Sequence, residues 1–350
     1  MAAVRIVQVG LGGFGRSWAE LANRGPGIEL VAVVDAAPAA LAWATTSLGI
    51  APDRCVASLT EALANRECDA VLVVTPPPTH HAIASDSLEA GKHVLIEKPL
   101  ATTLADAEAL VETAARRNRV LMVSQNYRFR PPARAVQRLV ADGVLGALTH
   151  VAIGFRRDTR RSWPADDFRY AMRHPLLLDM SIHHADLLRA VTGQNVRQVF
   201  ARSWRVPDSP YRHDPALVAV MTLDGGATVV YTGDWATHDR ETSWNADWEV
   251  IGERGRLLWR GGEQDPATGD LMLEEWGHLP RIVDQPALTA TDRAGTLDAF
   301  RVAVATGQPP ETSGADNIHS LAVVLACVES IERAESVDLE TLFAPIPTTW

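Results

Sequence analysis

Two short stretches carry residue types that could do chemistry. The first is Glu97-Lys98-Pro99. Of 33 basic residues, Lys92 and Lys98 are the only lysines. Arginine keeps its proton at any working pH, whereas a desolvated lysine can release one. A lysine kept between an acid and a proline is either a surface Lys-Glu pair left by composition or a titratable amine with a task. The second stretch is Asp179-Met180-Ser181-Ile182-His183. On a helix from about Leu178 to Thr192, a spacing of four puts Asp179 and His183 on one face. The helix dipole favours an acid near that N-terminus. A buried Asp beside a His can orient the imidazole and raise its basicity, as a general base requires; such a pair also occurs as a purely structural contact.

The elements that position Lys98 read as a nucleotide fold. The β-branched strand Val4–Val9 runs into Gly10-Leu11-Gly12-Gly13-Phe14-Gly15, and a helical pattern follows. A second apolar strand, Leu30 to Val34, ends in Asp35. Strand, glycine loop, helix and terminal acid form the dinucleotide-binding fingerprint in its proper context. The glycines admit a pyrophosphate to the helix N-terminus, and the Asp35 carboxylate suits ribose hydroxyls. Asp35 would repel a ribose 2′-phosphate, and Ala36-Ala37-Pro38 provides no arginine or serine to receive one, so NAD is expected over NADP. Further units alternate to Val123. The strand Ala70–Val74 ends at Thr75-Pro76-Pro77-Pro78, and the strand His93–Ile96 ends at Glu97-Lys98-Pro99. Lys98 therefore falls at the C-terminal edge of a parallel sheet, where open α/β sheets bind ligands.

After Asn126 the pattern changes to strand-like segments: Leu148–Phe155, Gln198–Ser203, Leu217–Leu223, Thr228–Thr232, Trp248–Ile251 and Arg256–Trp259. They predict a large, mostly antiparallel, open-faced sheet with helices on one face. The expected architecture is an α/β Rossmann domain with a doubly wound parallel sheet over residues 1–125. An α+β domain for substrate binding and oligomerisation follows over 126–350.

Length suits two domains, and 47% apolar with 22% charged residues is a globular composition. A net charge of -10 without a basic aromatic stripe argues against nucleic acid. No charged-then-apolar leader and no membrane-length apolar run is expected. Cys55, Cys68 and Cys327 form no metal spacing and read as reduced thiols in a cytoplasmic protein, with no metal site.

Together these motifs resemble the glucose–fructose oxidoreductase/inositol dehydrogenase/rhizopine-catabolism family, Gfo/Idh/MocA. The matches are Gly10–Gly15, Asp35, Thr75-Pro76 with His80, and Glu89 to Val94. They continue through Glu97-Lys98-Pro99, Asn126-Tyr127-Arg128-Phe129, Leu178 to Leu187, and Ser313 to Asn317. The resemblance implies NAD(P)-dependent oxidation of a secondary hydroxyl on a sugar, inositol or related polyol. By the same resemblance Lys98 binds the reacting hydroxyl, Asp179 positions and tunes the site, and His183 is the acid/base. The implied cofactor contacts are Gly10, Gly12, Gly13, Phe14, Gly15, Asp35, Thr75, Pro76, His80, Glu97, Lys98 and Asn126. Arg128 joins the implied substrate side. Two positions depart from the family: His174-Pro175 stands where glycines are frequent, and Pro77 where Asn is frequent.

Arg156, Arg157, Arg160, Arg161, Arg169 and Arg173 crowd the approach to the second stretch against fewer acids. They could receive an anionic sugar or form a solvated loop; Arg169 is the candidate contact. Eight of ten tryptophans follow residue 150. Trp163 and Trp235 are candidates to stack on a sugar ring, and an open tryptophan-rich sheet suggests a homodimer or homotetramer. Two other outcomes share these residues: an enzyme that oxidises transiently and recycles its NAD, and a non-catalytic NAD-binding sensor.

Overall fold

The computed structural model describes residues 3–261 and 269–343. They form two compact units, residues 3–126 with 293–318, and 127–292 with 319–343.

The first unit begins with β1 (Val4–Val9), α1 (Gly13–Arg24), β2 (Ile28–Val34), α2 (Pro38–Leu48), β3 (Cys55–Val56), α3 (Leu59–Asn65) and β4 (Ala70–Val73). It continues with α4 (His80–Glu89), β5 (His93–Glu97), α5 (Leu104–Arg117) and β6 (Leu121–Ser124). The six strands are parallel, in the order β3-β2-β1-β4-β5-β6. Strand order reverses between β1 and β4, so the crevice beyond their C-terminal ends is the expected ligand site of such a sheet. Central strands are buried almost throughout, which is why they read as continuous apolar runs. The two-residue β3 is too short to carry a periodic signal.

Residues 293–318 bring most of α8 (Asp292–Thr306) and the start of α9 (Gly314–Arg333) into this unit. The Val123 N–H donates to the Thr312 carbonyl at 2.9 Å, and a side chain on Gly314 would meet Leu121 at 2.7 Å. Ser313-Gly314 thus packs against the β6 edge, a long-range return that a single cut after residue 125 does not provide for.

The second unit holds α6 (Pro131–Ala141), β7 (Leu148–Arg156), α7 (Ile182–Thr192), β8 (Val196–Trp204), β9 (Ala216–Leu223) and β10 (Thr228–Asp234). β11 (Asp247–Gly252), β12 (Gly255–Gly261), β13 (Gly269–Glu275), β14 (Arg281–Ile282) and β15 (Val337–Asp338) complete it. Nine strands run in the order β14-β13-β12-β11-β7-β10-β9-β8-β15. Every pair is antiparallel except β7 with β10. Burial alternates along β11 and β12, the mark of a sheet packed on one face only. On the other face of β8 and β9, Phe200, Trp204 and Val220 are exposed. Among the described residues no helix is long and apolar enough to cross a membrane.

Candidate active site

The end of β1 is shaped to bring backbone close to a ligand. Gly10 has φ of +99°, in the left-handed region, and a Cβ there would lie 2.3 Å from the Val74 carbonyl oxygen. A Cβ on Gly15 would lie 2.3 Å from the Gly10 oxygen. At Gly12 and Gly13, by contrast, nothing stands within 4 Å. These two glycines therefore border open space at the N-terminus of α1, where first-turn N–H groups lack intrahelical acceptors and attract an anion. The Gln8 amide locks the loop from below, donating to the carbonyls of Gly10 at 2.9 Å and Gly15 at 2.7 Å. Its sequence signal was a polar residue inside a buried strand.

Asp35 ends β2 and faces this loop. Its carboxylate accepts the Leu11 N–H at 2.7 Å and the Ala37 N–H at 2.8 Å. Each oxygen retains a further lone pair for a ribose hydroxyl. Phe14 is exposed, and the Arg293 guanidinium sits 4.9 Å from its ring centre while donating to Ser17 Oγ at 2.6 Å. Arg293 joins this rim from far along the chain, with no local signal. Glycines that clear a path, a helix N-terminus and an acid beside it fit a dinucleotide.

The Glu97-Lys98-Pro99 loop is fastened from inside. Glu97 is buried at 7% exposure; Trp18 Nε1 donates to its Oε1 at 2.8 Å and the Lys98 N–H to its Oε2 at 3.1 Å. Burial pushes the Glu97 carboxyl up, against the opposing pull of the Lys98 charge and the Trp18 N–H. Expected as a cofactor contact, Glu97 is here the anchor of the lysine loop. His80, fully buried at the start of α4, spans two loops: Nδ1 lies 2.7 Å from the Pro99 carbonyl and Nε2 2.8 Å from the Thr75 carbonyl. Burial lowers its basicity, and the neutral ring donates to one of the two. Thr75 Oγ accepts from Thr79 Oγ at 2.7 Å, while Pro76 is exposed on the same loop. His80 thus holds the Thr75-Pro76 loop and the Lys98 loop to each other. Asn126 opens the single turn Asn126–Phe129 after β6.

In the second unit the helical segment starts at Pro175, and its turn Leu177–Ser181 is a π-turn that leads into α7. The wide turn encloses Asp179, and Ser181 Oγ donates back to the Leu176 carbonyl at 3.3 Å. Such insertions are frequent at functional sites. His174 precedes this helix at φ of +47°, a conformation that favours glycine. Arg169 Nε donates to Asp179 Oδ2 at 2.6 Å, and the same guanidinium is paired with Asp167 at 3.3 Å. His183 is buried at 7% exposure with its ring stacked on Tyr127, centroids 4.4 Å apart and planes within 8°. The adjacent His184 is structural. Its Nε2 donates to the Trp244 carbonyl at 3.0 Å, Tyr231 OH lies 3.1 Å from Nδ1, and burial lowers its pKa to about 4.

Several expected contacts find other employment. Arg128, expected on the substrate side, is buried and forms a two-pronged ion pair with Asp186, both bonds 2.7 Å. Ser320 Oγ also donates to Asp186 at 2.9 Å, so this acid lies inside the unit. Trp235 is 1% exposed, edge-on to Trp163 at 4.9 Å; its burial leaves no face for a sugar. Trp163 is partly exposed, with Arg169 4.6 Å from its ring centre. The arginine-rich segment is matched by acids. Arg156 meets Asp247, Arg157 meets Glu241, Arg160 and Arg161 share Asp158, and Arg173 meets Glu332. Trp248 and Trp259 are buried, so the tryptophan-rich open face expected from composition narrows on β8 and β9 to Trp204 with Phe200 and Val220, while Trp276 is exposed just past β13. Among the described residues no cluster of His, Cys, Asp and Glu could hold a metal.

Comparison with known proteins matches both the N-terminal and C-terminal parts of the chain. A family model described as an oxidoreductase family with an NAD-binding Rossmann fold matches residues 4–125, and the GFO/IDH/MocA C-terminal domain matches residues 133–258. The chain belongs to the Gfo/Idh/MocA oxidoreductase family. It is 28% identical to a D-apiose dehydrogenase of Paraburkholderia graminis, over 97% of this chain and 90% of that one. It is 27% identical to a myo-inositol 2-dehydrogenase of Thermotoga maritima, over 96% and 99%. The crystal structure of an inositol dehydrogenase homologue from Azotobacter vinelandii, complexed with NADH and myo-inositol, superposes with a TM-score of 0.82 at 23% identity, over 96% and 98% of the chains.

Proposed function

We propose that this family member is an NAD-dependent oxidoreductase that oxidises a secondary hydroxyl of an uncharged sugar, inositol or related polyol, or reduces the matching ketone. The observation that carries the reading is the buried π-turn and α7 start that hold Asp179 against Arg169 and His183 against Tyr127. The chain's other unit meanwhile carries a glycine cradle open at Gly12 and Gly13. Gly10, Gly12, Gly13, Phe14, Gly15, Asp35, Thr75, Pro76, His80, Lys98 and Asn126 hold or shape the dinucleotide site. When bound, the dinucleotide supplies the hydride acceptor. His183 takes the hydroxyl proton as general base. Asp179, paired with Arg169, favours the imidazolium that results. The Lys98 ammonium steadies the developing alkoxide charge.

Pairing of the arginines with acids supports an uncharged substrate over a uronate or phosphosugar, and Trp163 with Arg169 forms its outer wall. The Asp35 carboxylate supports NAD over NADP, because a 2′-phosphate would meet a charge already committed to Leu11 and Ala37. The exposed apolar residues Phe200, Trp204 and Val220 support a homo-oligomer that covers the open sheet. Free thiols at Cys55, Cys68 and Cys327 support a cytoplasmic protein. A panel of sugars, inositols and uronates incubated with NAD at alkaline pH tests the activity. NADH should accumulate with a neutral polyol. Product without net NADH would point instead to a recycling enzyme, and no turnover at all to a sensor.

A further inference from the structure

The turn that joins β6 to α6 contributes two buried arginines to the second unit, and they act differently. Arg128 ties the turn to α7 through Asp186, three residues beyond His183. Arg130 is 3% exposed and lies over the Tyr127 ring, its Cζ 3.4 Å from the centroid. His183 stacks on the same ring at 4.4 Å. A guanidinium and an imidazole at these separations cannot share one face, so Tyr127 is sandwiched between them. Arg130 is itself held by hydrogen bonds. Its Nε and Nη2 donate to Asp292 Oδ2 at 2.9 and 2.6 Å, and its Nη1 donates to Asn245 Oδ1.

We infer that Tyr127 and Arg130 are positioning residues for His183; this rests on the reading of His183 as the acid/base. The flat stack leaves the imidazole little freedom to rotate about its Cβ–Cγ bond, because rotation would drive a ring edge into Tyr127. Arg130 holds the tyrosine through the opposite face, where a cation meets the negative face of the ring in a desolvated setting. Orientation is thus relayed from Asp292 and Asn245 through Arg130 and Tyr127 to the base. What the relay preserves is the direction of the proton-accepting nitrogen, and misplacement on the order of 1 Å can cost about 100-fold in rate. The Tyr127 hydroxyl also interacts with Arg130, but it is the ring face that orients the imidazole.

The test compares Tyr127→Phe, Tyr127→Leu and the double variant Arg130→Met/Asp292→Asn, which removes the acid together with its arginine, alongside His183→Ala. Each is checked for native circular dichroism and for NADH affinity by fluorescence titration. Tyr127→Phe should keep wild-type kcat. Tyr127→Leu should lose about 10- to 100-fold in kcat with KM and NADH affinity unchanged. The double variant should show a smaller loss of the same kind. Wild-type kcat in Tyr127→Leu beside an impaired His183→Ala overturns the relay while leaving the base standing. A Tyr127→Phe variant as poor as Tyr127→Leu, or equal losses in kcat and substrate affinity, also overturns it. Full activity in His183→Ala removes the base and the relay together. Should Tyr127→Leu fail to fold, the Phe variant and the double variant still decide.

Discussion

In the first unit the ligand cradle is mostly backbone: glycines without side chains, carbonyls turned inward by Gln8, and two loops joined by His80. In the second unit the proposed chemistry rests on side chains held by other side chains. Arg169 grips Asp179, Arg128 grips Asp186, and Arg130 backs the ring on which His183 lies. The difference follows from what each must do. A pyrophosphate is met by N–H groups at a helix end, which any sequence supplies once the backbone can approach. A proton must be taken from one atom in one direction, which requires a fixed side chain.

Removing the chemistry should produce the largest effect. His183→Ala should lower turnover by roughly 10²–10⁴-fold. Lys98→Arg should be nearly as poor as Lys98→Ala, since a planar fork does not replace a compact ammonium. Steady-state kinetics with NADH titrations should find cofactor binding intact in each. If cofactor binding falls in parallel with turnover, the division of labour between the units is wrong.

Next comes the buried ion pair. Arg128→Ala leaves Asp186 and should cost about 3–5 kcal/mol, read by denaturant unfolding. Arg116→Ala removes a contact to the exposed Glu89 and should leave the unfolding midpoint nearly unchanged. A small loss for Arg128→Ala would erase the contrast between backbone-built and side-chain-built sites.

Acid should weaken both units. His184 titrates near 6.5 when unfolded but at about 4 when folded, because burial disfavours its charge, and His80 is lowered for the same reason. The unfolded chain therefore binds more protons between these values. Stability from His184 is full above pH 6.5 and is lost as pH falls towards about 4. Unfolding curves at neutral pH and within that window should separate in wild type and draw together in His184→Asn.

Cofactor choice should give the smallest change. Asp35→Ser with Ala36→Arg should narrow the NADH-over-NADPH preference by roughly tenfold, by removing a repulsion and adding a phosphate partner. Tighter NADPH binding by wild type would defeat the reading of Asp35.

Sequence by itself determined what local patterning can encode. The glycine loop between strand and helix, Asp35 at a strand end, Lys98 at a sheet edge, and the alternation of β9 to β12 each depend on neighbours a few residues away. Conformational preferences and period act at that range. Tertiary structure alone decided which polar groups serve the site and which serve the frame. Arg128 meets an acid 58 residues on and Arg130 one 162 residues on, and nothing near either arginine in sequence announces its partner. It also turned the arginine cluster into ion pairs, hid Trp235, and brought residues 293–318 back onto the first unit. The physical reason is that a buried charge is tolerated only when paired, and pairing is satisfied in space by whichever residue the fold brings near.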